Sequence, residues 1–168
     1  MKKIIDAFDY AGDICKAMKK GILLTTKADG QVNTMTIGWG TMGVEWGKPI
    51  FVAYVRGSRY THQMIEKNGE FTVNIPIGEF DIKILVICGT KSGRDMDKIK
   101  ELNLTLEEPL NCGVPGIKEL PLTLECKVLY RMEQTLDTIP QEIIDRYYPN
   151  GDFHYAYYAE IVGAYIAE

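Results

Sequence analysis

The sequence predicts a mainly β fold, an antiparallel barrel with peripheral helices. Three observations carry that prediction. Two β-prone runs flank Asp29-Gly30, and glycine tolerates the positive φ that a tight hairpin requires. Residues 122–132 and 155–166 alternate over lengths typical of long strands. The strict strand–helix alternation of a doubly wound parallel sheet is missing. Closing such a sheet would remove its exposed edges.

The elements follow in order. Residues 6–20 read as a helix, because Ile5, Phe8, Ala11, Ile14, Cys15 and Met18 recur at three- and four-residue steps. Lys19 and Lys20 suit its last turn and Gly21 its end. Residues 22–27 and 32–37 form the hairpin. Pro49 opens an apolar run over 50–55, a central strand covered on both faces. Ser58 is placed as the N-cap of a helix over 58–67 that Gly69 stops. A short strand over 71–75 is closed by Pro76, and helices follow over 79–88 and 97–102. Between the two long strands, Thr138 and Pro140 begin a helix over 139–147. The tally is about six strands.

Composition narrows the function classes. With 168 residues, 46% of them hydrophobic and 25% charged, residues 1–168 suit one compact domain and not a disordered chain. The longest apolar run, 82–88, is interrupted by Lys83 and falls short of the roughly 20 residues of a membrane span. Asp6, Asp9 and Asp13 leave no apolar secretory segment, so a cytoplasmic location is expected. A net charge of −4 and a pI near 5.3 argue against nucleic acid as a partner, while still allowing one small anion pocket. Cys15, Cys88, Cys112 and Cys126 are scattered, with only His62 and His154 to complement them. No metal site is expected, and the thiols read as reduced and mostly buried. No glycine-rich dinucleotide or triphosphate loop appears.

Four segments could carry chemistry. Arg56, Ser58, Arg59, Tyr60 and Thr61 lie where a strand runs into a helix. Unpaired N–H groups, two hydroxyls and two guanidinium groups there match the needs of a phosphate monoester. The same residues also read as a capped helix with two solvated arginines. Met35, Thr36, Ile37, Gly38, Trp39 and Gly40 end a strand with two glycines around a tryptophan. That arrangement admits either a flat ligand against the backbone or a bulge with Trp39 in the core. Ser92, Gly93 and Lys98 belong to a polar, cationic connector that could reach the same ligand or merely join two helices. His154 begins a long strand, where a hydrogen-bonded structural role is the ordinary expectation. Within this strand, Ala156 and Tyr158 share its face, while Tyr155 and Tyr157 share the other.

Taken together, the order of these motifs resembles the flavin reductase-like, FMN-binding split-barrel family, with the flavoredoxin-type branch nearest. The carriers are the 34–38 strand end, the Pro-led strand, Arg56 to Thr61, the Phe71 to Pro76 run, and Ser92-Gly93-Arg94-Asp95 with Asp97-Lys98. The resemblance implies an antiparallel split barrel binding FMN. Met35 to Gly40 would lie along the isoalloxazine ring. Arg56, Ser58, Arg59 and Thr61, with Tyr60 among them, would hold the phosphate, and Ser92, Gly93 and Lys98 would sit near its ribityl end. It also implies a homodimer with the flavin near the interface. Gly151-Asp152-Phe153-His154 is similar to the family's Gly-Asp-His element, with Phe153 intervening, and places His154 on the substrate side.

The expected activity is an FMN-dependent oxidoreductase that passes electrons from NAD(P)H to a flavin, a metal complex or a protein acceptor. A bound flavin carries its own chemistry, which accords with the lack of an evident nucleophile or acid–base pair. A flavoredoxin-type electron-transfer carrier is the alternative, and a non-enzymatic flavin-binding protein a more distant one. Two histidines and scattered cysteines give no support to a hydrolase.

Overall fold

A computed structural model describes residues 1–168. The chain runs β1 (Lys2–Ile4), α1 (Ala11–Met18), β2 (Ile22–Ala28), β3 (Gln31–Ile37), β4 (Gly40–Glu45), β5 (Lys48–Arg56), α2 (Tyr60–Asn68) and β6 (Glu70–Ile75). It continues through α3 (Lys83–Thr90), α4 (Lys98–Glu101), β7 (Leu106–Glu107), β8 (Gly116–Ile117), β9 (Leu122–Glu133), α5 (Gln141–Tyr147) and β10 (His154–Ala167). No helix is long and apolar enough to cross a membrane.

One antiparallel sheet dominates, in the order β3-β2-β6-β9-β10-β5-β4, with β1 added to the far end of β10. The Asp29-Gly30 turn joins β2 to β3 with φ of 51° and 77°, as two positive-φ residues in a tight hairpin should. Long β10 pairs with β9 along one side and with β5, then β1, along the other. Its register shifts at Tyr158/Ala159 and Ile161/Gly163 are bulges of the kind that bend a strand and let a sheet curl.

The curled sheet is not closed. β3 and β4 are its two edges, and Gly38 and Trp39 carry the chain from one to the other. The antiparallel, curled sheet with peripheral helices is as expected, and only the closure that would have removed its edges is missing. The edges are covered instead of paired: α3 and α4 lie against β3, and α1 packs against β4 and β6. Gly40 makes the second packing possible. A Cβ there would stand 3.0 Å from Met18 Sδ and Phe51 Cζ and 3.1 Å from the Val52 carbonyl.

Inside the curl lie Ile14 and Met18 of α1, Ile22, Leu24, Phe51, Val55, Phe71, Leu124, Tyr157 and Ala159. Further expectations need correction. The 6–20 helix is interrupted at Tyr10, which has φ −108° and ψ 4°, so a 3₁₀ turn over Ala7–Tyr10 precedes α1. The third helix starts at Lys83 and not at residue 79. There are ten strands instead of six, because β1, β4 and the β7–β8 pair are held by their partners more than by local propensity. Gly69 does end α2, with φ 71°.

Phe71 and Phe51 are fully buried and meet edge to face, with centroids 6.5 Å apart. Phe71→Ala should cost about 3–5 kcal/mol of unfolding free energy, read from urea denaturation. A loss below about 1 kcal/mol would show that the curl does not depend on this contact.

Candidate functional site

Three cavities that share lining residues lie along the open seam between β3 and β4. The first, about 120 Å³, lies between β3, the start of α2 and the 88–94 segment. Arg59, Lys91, Arg94 and Lys98 line it, together with Ser58, Thr61, Ser92 and Gly93, and no aspartate or glutamate does. In a chain of net charge −4, that concentration of cations is the outstanding electrostatic feature.

Lys98 is the most constrained of the four. It is 3% exposed and donates from Nζ to the carbonyls of Thr34 (2.9 Å) and Cys88 (3.1 Å). None of the ion pairs in the structure involves it. Burial lowers its pKa, and the nearby Arg59 guanidinium adds to that. An ammonium has three donors, and here two are used. Arg59 is exposed and likewise has neither an ion pair nor a side-chain hydrogen bond, being the N-cap of α2 without a capping contact. Thr61 is buried, and its Oγ1 accepts from Asn33 Nδ2 at 3.0 Å. The loop closes tightly at Gly93, where a Cβ would collide with Asn33 Oδ1 and Tyr60. The Arg94 guanidinium lies over the Tyr60 ring, 5.4 Å from its centroid.

The second cavity, about 160 Å³, shares Met35 and Arg59 with the first and continues along Thr36, Ile37, Gly38 and Trp39 to Tyr54, Arg56 and His154. Its floor is largely backbone, since Ile37 is buried and Thr36 Oγ1 donates to the Leu85 carbonyl at 2.7 Å. Trp39 is not a core residue. It is 41% exposed and meets Tyr147 edge-on at 5.1 Å and the His154 ring at 4.9 Å.

Ser58 is not the N-cap. Its backbone N–H and its Oγ donate to the two carboxylate oxygens of Asp152, at 3.0 and 2.6 Å. Arg56 donates to the carbonyls of Asp152 (2.9 Å) and Tyr147 (3.0 Å). Both residues therefore clamp the 147–152 segment at the edge of the cavities, a distant engagement that no local capping pattern reveals. Asp152 is held at φ 61°, a conformation costly enough in a non-glycine residue to need such anchoring.

His154 is 6% exposed. Tyr148 donates its single hydroxyl proton to Gln134 Oε1 (2.8 Å), so His154 Nδ1, 2.7 Å from the same oxygen, is the donor to Tyr148. This assigns the Nδ1–H tautomer and leaves Nε2 an acceptor. Burial, reinforced by Arg56, lowers the pKa of His154 to about 4, so the ring is neutral at ordinary pH. His62 lines none of these cavities; it stacks on Tyr155 and meets Tyr157 Oη at 2.5 Å.

Sequence reasoning missed Tyr54 as a cavity wall, while Asn33, Lys91 and Arg94 lie inside segments it singled out without being given roles of their own. Tyr54 carried a usable signal, because it lies two residues before Arg56 on the same face of a strand. Asn33 is a β3 residue, and Lys91 and Arg94 belong to the cationic connector after α3, so only the fold shows that they meet. Among the thiols, Cys15 is exposed and Cys112 half-buried, so fewer are buried than expected.

His154 should titrate near 4 in the folded protein, followed by its ring signals in NMR between pH 8 and 3. A folded pKa depressed below the unfolded 6.5 means that this group's contribution to stability is complete above about pH 6.5 and is lost as pH falls towards 4. A measured pKa of 6 or above would contradict the buried, neutral assignment.

Comparison with known proteins gives consistent results. The model of the flavin reductase like domain matches residues 17–167. An uncharacterised protein of Archaeoglobus fulgidus is 37% identical over 101 residues, which is 60% of this chain and 56% of that protein. One from Pyrococcus abyssi is 31% identical over 98 residues, covering 58% and 55%. The chain thus spans little more than half the length of these relatives. Among solved structures, flavoredoxin from Methanosarcina acetivorans superposes with a TM-score of 0.68 at 28% identity, covering 88% of this chain and 68% of that one. The FMN-binding domain of a flavin reductases-like enzyme from Shewanella baltica superposes at 0.67 and 17% identity, covering 99% and 77%; at that identity it attests the split-barrel fold. With the family model matching almost the whole chain, this protein belongs to the flavin reductase-like domain family.

Proposed function

We propose that this chain is an FMN-dependent oxidoreductase that takes electrons from NAD(P)H and passes them to a flavin, a metal complex or a protein acceptor. The observation that carries the reading is the first cavity, with four cations and no carboxylate. Its donors fit a phosphate dianion: a partly unused buried ammonium, a free guanidinium and a hydroxyl-rich loop. Arg59, Lys98, Thr61, Ser92 and Gly93 would hold the phosphate, with Tyr60 alongside. Arg56 and Ser58 would set the adjoining wall through their hold on the 147–152 segment. The glycine-flanked backbone from Met35 through Thr36, Ile37, Gly38 and Trp39 to Gly40 would face the ring system, and the amide and carbonyl groups that edge strand β3 does not spend on β2 would bond its polar edge.

FMN, when bound, supplies two-electron chemistry between a hydride donor and an acceptor. The protein's part is positional and electrostatic. The cationic chamber anchors one end of the cofactor, and Trp39 flanks the other. His154, neutral and fixed by Tyr148, presents an acceptor nitrogen and adds no charge, which suits contact with a substrate more than proton delivery at neutral pH.

The likeness to a flavoredoxin at 28% identity supports a second reading, an FMN carrier serving redox proteins. Rapid reduction by NADH or NADPH in stopped flow distinguishes the oxidoreductase; a carrier is reduced slowly by nicotinamides and quickly by a redox protein. Assembly as a homodimer accords with the apolar residues exposed near the β4–β5 hairpin, Val44 at 68% and Trp46 at 67%, and with Met132 on β9 at 55%.

Arg59→Ala should weaken FMN binding by about 1.5 kcal/mol, roughly tenfold, in a fluorescence titration. Riboflavin, which lacks the phosphate, should bind the two proteins alike. Equal losses for both flavins would remove Arg59 from the phosphate site.

A further inference from the structure

Asn74, on β6, lines none of the three cavities, yet it is fully buried, as are Thr25, Thr34 and Thr123. Leu24, Val73 and Leu124 of the same strands point into the curl, so Thr25, Asn74 and Thr123 point outward from it. Residues 104–120 cover that outer face, where Leu104, Ile117 and Leu120 pack on Leu23.

The Asn74 amide is the middle of a chain of hydrogen bonds between side chains. Thr25 Oγ1 donates to Asn74 Oδ1 at 2.8 Å. That commits its one proton, so Thr34 is the donor in the 2.9 Å contact between the two threonine hydroxyls; the Leu24 carbonyl is a looser 3.4 Å from Thr34 Oγ1. Asn74 Nδ2 donates to Thr123 Oγ1 at 3.1 Å. The chain therefore crosses four strands, from edge strand β3 through β2 and β6 to β9.

At Thr34 it reaches the cationic chamber. The carbonyl of this residue accepts the 2.9 Å bond from Lys98 Nζ, and its neighbours Asn33 and Met35 both line the first cavity. Strand β3 has a partner on one side only, so sheet pairing alone constrains it less than an inner strand. Apolar side chains would fill the ladder positions at least as favourably, as Leu23 does on the same face. Hydrogen bonds add a fixed direction and distance, which apolar packing lacks.

We propose that Asn74 is a positioning residue for the cationic chamber, acting through Thr25 and Thr34 to hold the carbonyl on which Lys98 Nζ rests. The inference rests on the flavin reading for the identity of the anion that Lys98 meets. The placing of Lys98 itself is a property of the flavin-free protein too, and can be read there.

The test compares four variants with the parent protein. Asn74→Leu removes the centre of the chain. Thr25→Val severs it with little change of shape and serves alone should Asn74→Leu not fold. Thr25→Ser keeps the hydroxyl. Thr72→Val is the control for stability: Thr72 is equally buried on the same face, but it gives its one proton to the Pro115 carbonyl at 2.8 Å and so leaves Asn74 Oδ1, 3.5 Å away, without a bond from it. Three quantities are read: urea stability, FMN and riboflavin affinities by fluorescence titration, and the ammonium signal of Lys98 in NMR of the flavin-free protein. Asn74→Leu and Thr25→Val should weaken FMN about fivefold, the scale of one hydrogen bond, leave riboflavin unchanged and shift the Lys98 signal. Thr25→Ser should match the parent in affinity and signal. Thr72→Val should lose stability yet keep both. An unmoved Lys98 signal in folded Thr25→Val overturns the inference, and so does an unchanged FMN affinity or an equal loss for the two flavins. A Thr72→Val protein that copies the ladder variants overturns it as well, since burial and stability would then explain everything. A parent protein that binds no FMN overturns the flavin reading alone, and the Lys98 signal then decides the role of Asn74.

Discussion

Four cations around about 120 Å³ with no carboxylate among them form an arrangement that a bound anion would relieve. Like charges in a partly buried space repel, and Lys98 adds the desolvation of a buried ammonium. The fold accepts this because Lys98 has a second task. Its two carbonyl partners lie on edge strand β3 and on α3, so the same side chain fastens α3 and α4 over an edge that the sheet leaves unpaired. Covering the edge and charging the chamber are one construction.

The seam follows from that. A sheet closed between β3 and β4 would have no slot there. Here Gly38 and Trp39 cross the opening, and the three cavities line up along it. Glycine at position 40 lets α1 come close enough to support the crossing from inside. On the opposite side the 147–152 segment is fastened by Arg56 and Ser58. A rigid frame with one anchored end and one aromatic end suits a cofactor that needs to be held and oriented more than chemically assisted.

Much of this was legible in the residues, and the failures have physical causes. The Asp29-Gly30 hairpin, the Gly69 stop and both long strands are local signals, and local signals survive folding. β4 escaped notice because Gly-Thr-Met-Gly-Val-Glu carries little strand propensity; pairing with β5 holds it. Ser58 has the right type and place for an N-cap, yet Asp152, 94 residues away, takes both of its donors. For the site, Arg59, Thr61, Ser92, Gly93 and Lys98 were visible as motif positions and do converge on one cavity. Gln134, Ile143 and Lys19, which line a further cavity beside Trp39, stand just after β9, on α5 and just after α1, places that no spacing rule connects.

The central claim is that the cationic chamber and the glycine-lined crossing together hold one FMN per chain. Its most direct measurement is the visible spectrum of the protein after loading with FMN and passage over a desalting column. The account predicts oxidised-flavin bands that travel with the protein at about one equivalent per chain and are released as FMN on denaturation. Flavin that elutes wholly apart from folded protein would contradict it.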